Sequence, residues 1–148
     1  MRSGALLRFV LDTNVCLDLF VFGDPQCASL LAAVQAGEVE LVTREDCRDE
    51  WLAVLGYPQL KLDEAQRMQA IEVFDAYVRK LPVTDSGDVT LPRCRDRDDQ
   101  KFLELAHQAG ATALLTRDDE LLRLARRAKR DGLFSILPPA SWQATILP

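Results

Sequence analysis

Histidine is nearly absent from this chain: His107 is the only one, and Cys16, Cys27, Cys47 and Cys94 form no CxxC pair. That excludes a zinc site of ordinary Cys/His spacing. A disulfide framework is excluded too in a helix-rich chain without a secretion signal, so the thiols read as small buried hydrophobes. No apolar run approaches the ~20 residues of a bilayer span. The opening Met1-Arg2-Ser3-Gly4-Ala5-Leu6-Leu7 has no long apolar core and no cleavage site. A signal peptide is therefore not expected, and the expected location is cytoplasmic. There is no internal repeat, low-complexity segment or linker. A net charge of −5 argues against a general nucleic-acid coat. It leaves room for a local acidic site with basic patches elsewhere.

What is present fits one domain, residues 1–148, with 48% hydrophobic content and a sizeable core. Short apolar runs alternate with longer helical periods, the pattern of a mostly parallel α/β sheet between helices. Strands are expected at Arg8–Leu11, Val39–Val42, near Pro82-Val83, at Ala113–Thr116 and at Phe134–Leu137. A short helix is expected at Thr13–Val21. The next has Asp24 as N-cap and Pro25 at its first position, and stops at Gly37. Thr43 is the expected cap of a helix ending near Leu55. Met68, Ile71, Phe74, Val78 and Leu81 recur at helical spacing and predict a long helix from Glu64 to Lys80. Further helices are expected at Asp98–Gln108 and Asp119–Arg130, and Trp142 should pack the tail onto the core.

Four carboxylates fall where such a fold would gather them: Asp12, Glu50, Asp99 and Asp118. Open parallel sheets bind ligands beyond the carboxyl ends of their strands. Asp12 follows Phe9-Val10-Leu11, and Asp118 follows the run ending at Thr116. Alone, either Asp reads most simply as a helix cap; two at matching positions favour a site. Glu50 lies at the edge of the helix face formed by Cys47, Trp51, Val54 and Leu55. Asp99 shares a stripe with Phe102, Leu103 and Ala106, where a bare charge is costly. Asp98 suits the cap role, and Asp96 precedes the helix. Gathered like charges need a cation. Carboxylate oxygens suit Mg²⁺ or Mn²⁺, which activate water and neutralise charge on a phosphodiester. Whether one ion or two would bind stays open.

The segments Phe-Val-Leu-Asp-Thr-Asn (9–14), Glu-Trp-Leu-Ala-Val-Leu (50–55), Asp-Arg-Asp-Asp-Gln-Lys-Phe-Leu-Glu-Leu-Ala (96–106), Leu-Leu-Thr-Arg-Asp-Asp-Glu-Leu-Leu (114–122) and Ile-Leu-Pro-Pro-Ala-Ser-Trp (136–142) carry a resemblance. In this order the chain resembles the PIN-domain nucleases, especially the small prokaryotic toxins of toxin–antitoxin pairs. The resemblance implies a single PIN-like domain, an α/β/α sandwich on a mostly parallel sheet of about five strands. It implies Mg²⁺- or Mn²⁺-dependent cleavage of single-stranded RNA, a small antitoxin partner and a homodimer. Asp12, Glu50, Asp99 and Asp118 align with its acidic quartet. Asn14 and Thr116 align with supporting polar residues, and Glu120 with an occasional further acid. Asp98 and Asp119 adjoin the chosen residues. The helical face selects Asp99, and the position directly after Thr-Arg selects Asp118.

Arg117, Arg95 and Arg97 are candidate RNA contacts, the first beside Asp118 and the others in a basic loop before Asp99. Arg123, Arg127 and Arg130 share a helix face, but complement the helix dipole there, with Asp119–Arg123 as an i,i+4 pair. His107 sits late in its helix and receives no role. A receiver-type phosphoacceptor module also gathers acids at strand ends. It wants a Lys after the last strand, where this chain has Ile-Leu-Pro-Pro, and leaves Glu50 unexplained. A catalytically silent fold that only binds protein is the third reading, and the complete quartet argues against it. A haloacid-dehalogenase-type phosphatase wants an Asp where Asn14 stands.

Overall fold

The computed structural model describes residues 6–82 and 90–146. Strands β1 (Leu7–Leu11), β2 (Val39–Thr43), β3 (Val78–Lys80), β4 (Ala113–Leu115) and β5 (Ser135–Leu137) form one all-parallel sheet in the order β3-β2-β1-β4-β5. The chain builds outward from β1 to β3, then returns to the far side of β1 for β4 and β5. The strand order therefore reverses between β1 and β4, and a crevice opens beyond their carboxyl ends. The register sets Leu11 beside Leu115.

The helices are α1 (Thr13–Leu17), α2 (Ala28–Gln35), α3 (Glu45–Leu55), α4 (Glu64–Tyr77), α5 (Gln100–Gln108), α6 (Asp119–Leu122), α7 (Ala125–Arg130) and α8 (Trp142–Ile146). Alternate strand residues face opposite ways and fill two cores. Phe9, Leu11, Leu41 and Leu115 enter one, with Leu30, Trp51, Phe74 and Trp142. Val10, Val42, Leu114 and Ile136 enter the other, with Phe102, Leu103, Leu121 and Ala128. The result is the expected three-layer sandwich. Burying each large side chain contributes roughly 1.5–3 kcal/mol. The Trp142 ring meets the Phe9 ring edge-on at 5.5 Å, and its indole N–H donates to Ser29 Oγ at 3.2 Å. The tail thus docks as the sequence predicts. All four cysteines are buried and free, and burial pushes the Cys27 and Cys47 thiols up to about 11 and about 12. Among the described residues no single helix is long and apolar enough to cross a membrane.

The structure corrects several local expectations. The helix from Glu64 stops at Tyr77, because Val78 turns extended (φ −114°, ψ 118°) and pairs with Leu41. The third strand is therefore at Val78–Lys80, not at Pro82-Val83; Pro82 lies outside it, and Val83 lies outside the described residues. Met68 is exposed, and Ala70 and Phe74 supply the buried face of α4. Thr43 caps no helix: it ends β2, its carbonyl accepting from the Leu81 N–H at 2.9 Å, and Arg44 takes the N-cap position. After α1 the chain widens into a π turn, Asp18–Phe22, ending at Gly23 (φ 60°). Asp24 does cap, but the first turn after it is a 3-10 turn, Pro25–Cys27. The helix expected from Asp98 begins as a 3-10 turn, Arg97–Asp99, capped by Asp96 rather than Asp98. The helix expected over Asp119–Arg130 breaks at Arg123-Leu124, giving α6 and α7.

Candidate active site

The reversal point between β1 and β4 positions the first two acids. Backbone pairing continues one residue past each strand, with the Asp12 N–H donating to the Leu115 carbonyl at 3.1 Å. Asp12 and Thr116 therefore stand side by side. Asp12 caps α1, accepting from the Val15 N–H at 3.0 Å, and its other oxygen accepts from the Thr116 hydroxyl. Thr116 is fully buried and Asp12 only 3% exposed. Burial pushes the Asp12 carboxyl up to about 6, against the two hydrogen bonds that favour its charged form. Asp118 caps α6, accepting from the Glu120 N–H at 2.8 Å, while its own N–H donates to Thr116 Oγ1 at 2.9 Å.

The other two acids come from helices. Cys47, Trp51 and Leu55 bury the inner face of α3, leaving Glu50 half-buried at its edge. Phe102, Leu103 and Ala106 bury the matching face of α5, and Asp99 precedes its first turn. The buried Oδ2 of Asp99 has no hydrogen-bond partner. Burial, a hydrogen bond shared with the Asp118 carboxyl, and the charges of Asp118, Asp96 and Asp12 push Asp99 up to about 7.

Asp12, Glu50, Asp99 and Asp118 line one cleft of about 330 Å³, together with Thr13, Asn14, Asp96 and Asp98. Its far wall is Leu17, Val54, Tyr57 and Leu60. Of the supporting residues, Asn14 is exposed in the cleft and Thr116 acts through Asp12. Glu120 turns away to pair with Arg123 at 2.7 Å, displacing the expected Asp119–Arg123 pair. Asp98 lines the cleft, whereas Asp119 does not.

Arg117 is already engaged: it binds Asp18, 5% exposed, with Nη2 to Oδ1 at 3.1 Å. Arg95 and Arg97 are exposed. Their loop is pinned, since the Cys94 N–H donates to Gln100 Oε1 at 2.7 Å and Gln100 Nε2 donates to the Pro92 carbonyl at 3.0 Å. Arg127 and Arg130 both turn toward Asp131.

Sequence reasoning missed two partners of Glu50 and one of Arg117. The Thr13 hydroxyl donates to Glu50 Oε2. Lys101 Nζ donates to Glu50 Oε1 at 2.7 Å and to the Asp98 carbonyl. Burial opposes the Lys101 charge, but the Glu50 bond and the negative charges of Glu50 and Asp99 together outweigh it, and the ammonium pKa ends above its usual value. Asp18 anchors Arg117. A lysine in the first turn of a helix and an acid in a continuing helix carry no sequence mark of these contacts.

Among the described residues, no three His, Cys, Asp or Glu side chains stand close enough together to hold a metal ion as they are placed. The carboxylates instead face a shared, wider space. That spacing suits a hard cation that keeps several of its waters. The unbonded Asp99 Oδ2 is the oxygen such a cation would relieve.

A family model described as the PIN domain matches residues 8–120. The match runs from β1 into α6 and includes all four acids. Among solved structures, the chain is similar to VapBC2 from Rickettsia felis, crystallised bound to a DNA fragment from its promoter. The identity is 15% and the TM-score 0.52, over 88% of this chain and 97% of that one, so the likeness is one of fold. No curated protein matches.

Proposed function

The chain belongs to the PIN-domain family, and from that premise we propose that it is a divalent-metal-dependent endoribonuclease acting on single-stranded RNA, the toxin of a toxin–antitoxin pair. The observation that carries this reading is the convergence of Asp12, Glu50, Asp99 and Asp118 on one cleft at the reversal of strand order. The similarity of fold to VapBC2 supports a small antitoxin as partner and, with it, a cytoplasmic location.

When bound, Mg²⁺ or Mn²⁺ supplies an activated water and neutralises charge on the phosphodiester. The chain's own residues prepare for that. Thr116 and the Val15 N–H orient Asp12, and Thr13 and Lys101 orient Glu50. Asp99 and Asp118 offer the facing carboxyl groups, and Arg95 and Arg97 stand ready for the RNA backbone.

The test is cleavage of single-stranded RNA with Mg²⁺, Mn²⁺ or EDTA. Cutting with either metal and none with EDTA is expected. Folded Asp12→Asn and Asp99→Asn variants that cut like the wild type would remove the assignment.

A further inference from the structure

The acids of the cleft fall into two unlike sets. Both oxygens of Glu50 are taken, one by the Thr13 hydroxyl and the other by Lys101 Nζ at 2.7 Å. Lys101 is itself held twice more, by the Asp98 carbonyl and by the Phe102 ring, whose centre lies 5.0 Å from Nζ. Its side chain is 16% exposed, so it does not move freely in water. Among the described residues, no ammonium or guanidinium is bonded to Asp12, Asp99 or Asp118. Asp12 accepts from the Val15 N–H and the Thr116 hydroxyl, Asp118 accepts from the Glu120 N–H, and Asp99 Oδ2 has no partner.

This division sets where a metal can bind. Three carboxylates lining one cleft, with no cation bonded to any of them, attract a divalent ion. A carboxylate already paired with a part-buried ammonium does not. A second divalent ion at Glu50 would have to displace Lys101 from two acceptors, or sit beside its charge.

We infer that Lys101 is a built-in second cation of the cleft, so that the chain works with one divalent ion on the Asp12, Asp99 and Asp118 side and a fixed ammonium on the Glu50 side. This rests on the metal-nuclease reading above. Lys101 is thereby a positioning residue for Glu50 and keeps a positive charge next to the place where a phosphate would lie.

Counting bound Mn²⁺ by titration calorimetry and by electron paramagnetic resonance tests it on the full chain, with cleavage measured in parallel. The wild type is expected to bind one Mn²⁺. Lys101→Met is expected to bind two, with cleavage at low Mn²⁺ reduced about 10–100-fold and recovering as Mn²⁺ rises. Lys101→Arg should return the stoichiometry to one. Two ions on the wild type, or one on both wild type and Lys101→Met while RNA is still cut, would overturn the inference and leave the nuclease standing. No Mn²⁺ bound and no cleavage would overturn both. Should Lys101→Met not fold, Lys101→Gln replaces it, and the wild-type stoichiometry alone still decides against a two-ion site.

Discussion

The carboxyl groups of Asp99 and Asp118 line the same cleft, and burial together with the neighbouring Asp118 carboxyl makes Asp99, like the buried Asp12, hold its proton well above the ordinary carboxylate range. The unfolded chain releases these protons near the ordinary value of 3.8, whereas folding moves Asp12 to about 6 and Asp99 to about 7. Between those limits the folded state binds more protons than the unfolded one, so stability falls as pH rises and levels off above about 7. The groups facing Asp99 are Asp118, Asp96 and Asp12, and Arg117 partly offsets the field at Asp12. The metal-free protein should therefore melt lower at pH 7.5 than at pH 5. Asp99→Asn should flatten that slope, and Mn²⁺ should raise the melting temperature more at pH 7.5 than at pH 5. A pH-independent melting temperature in the wild type would contradict the arrangement.

Thr116 touches no solvent, yet it holds one oxygen of Asp12 and the N–H of Asp118. Thr116→Val keeps the shape and removes both bonds. Mn²⁺ affinity should fall about 10–100-fold, as when other groups that orient a ligand are removed. Unchanged affinity by calorimetry would show that Asp12 needs no such support.

Arg95 and Arg97 differ from Arg117 in what they already bind. Charge reversal of the first two, Arg95→Glu with Arg97→Glu, should weaken RNA binding and reduce the salt slope by about one for each phosphate no longer neutralised. Arg117→Ala should act mainly on stability, by stripping Asp18 of its partner. Filter binding at several salt concentrations, alongside urea melts, separates the two effects.

Arg44 joins α3 to α5. Its guanidinium donates to Asp46 at 2.7 and 2.8 Å, to Glu104 at 2.7 Å and to Gln108 at 2.9 Å, with its side chain only 8% exposed. Arg44→Ala should cost about 1–3 kcal/mol, since the bonds are charge-assisted but the acids keep access to water. A urea midpoint equal to the wild type's would refute this.

The strand ends are legible in the sequence because short apolar runs close on an acid: Leu11 on Asp12, and Thr116 on Arg117-Asp118. The helix faces carrying Glu50 and Asp99 are legible for the same reason, since Trp51, Phe102 and Leu103 declare which side is buried. Local pattern fails where long-range pairing overrides it. Val78 lies four residues after Phe74, as in a helix, but Leu41 draws it into the sheet. Lys101 looks like any first-turn lysine, and its partner Glu50 is 51 positions away. Contacts of that kind depend on the packing of α3 against α5, which no periodicity encodes.

Asp12 and its hydroxyl partner at Thr116 are 104 positions apart. Synthesis delivers the first with β1 and the second only with β4, after β2, β3 and the helices between them. A nascent chain lacking β4 has neither the backbone that flanks Asp12 nor the facing carboxyl of Asp118. Whatever chemistry the finished cleft performs is withheld until β4 has been made and laid beside β1 to complete it.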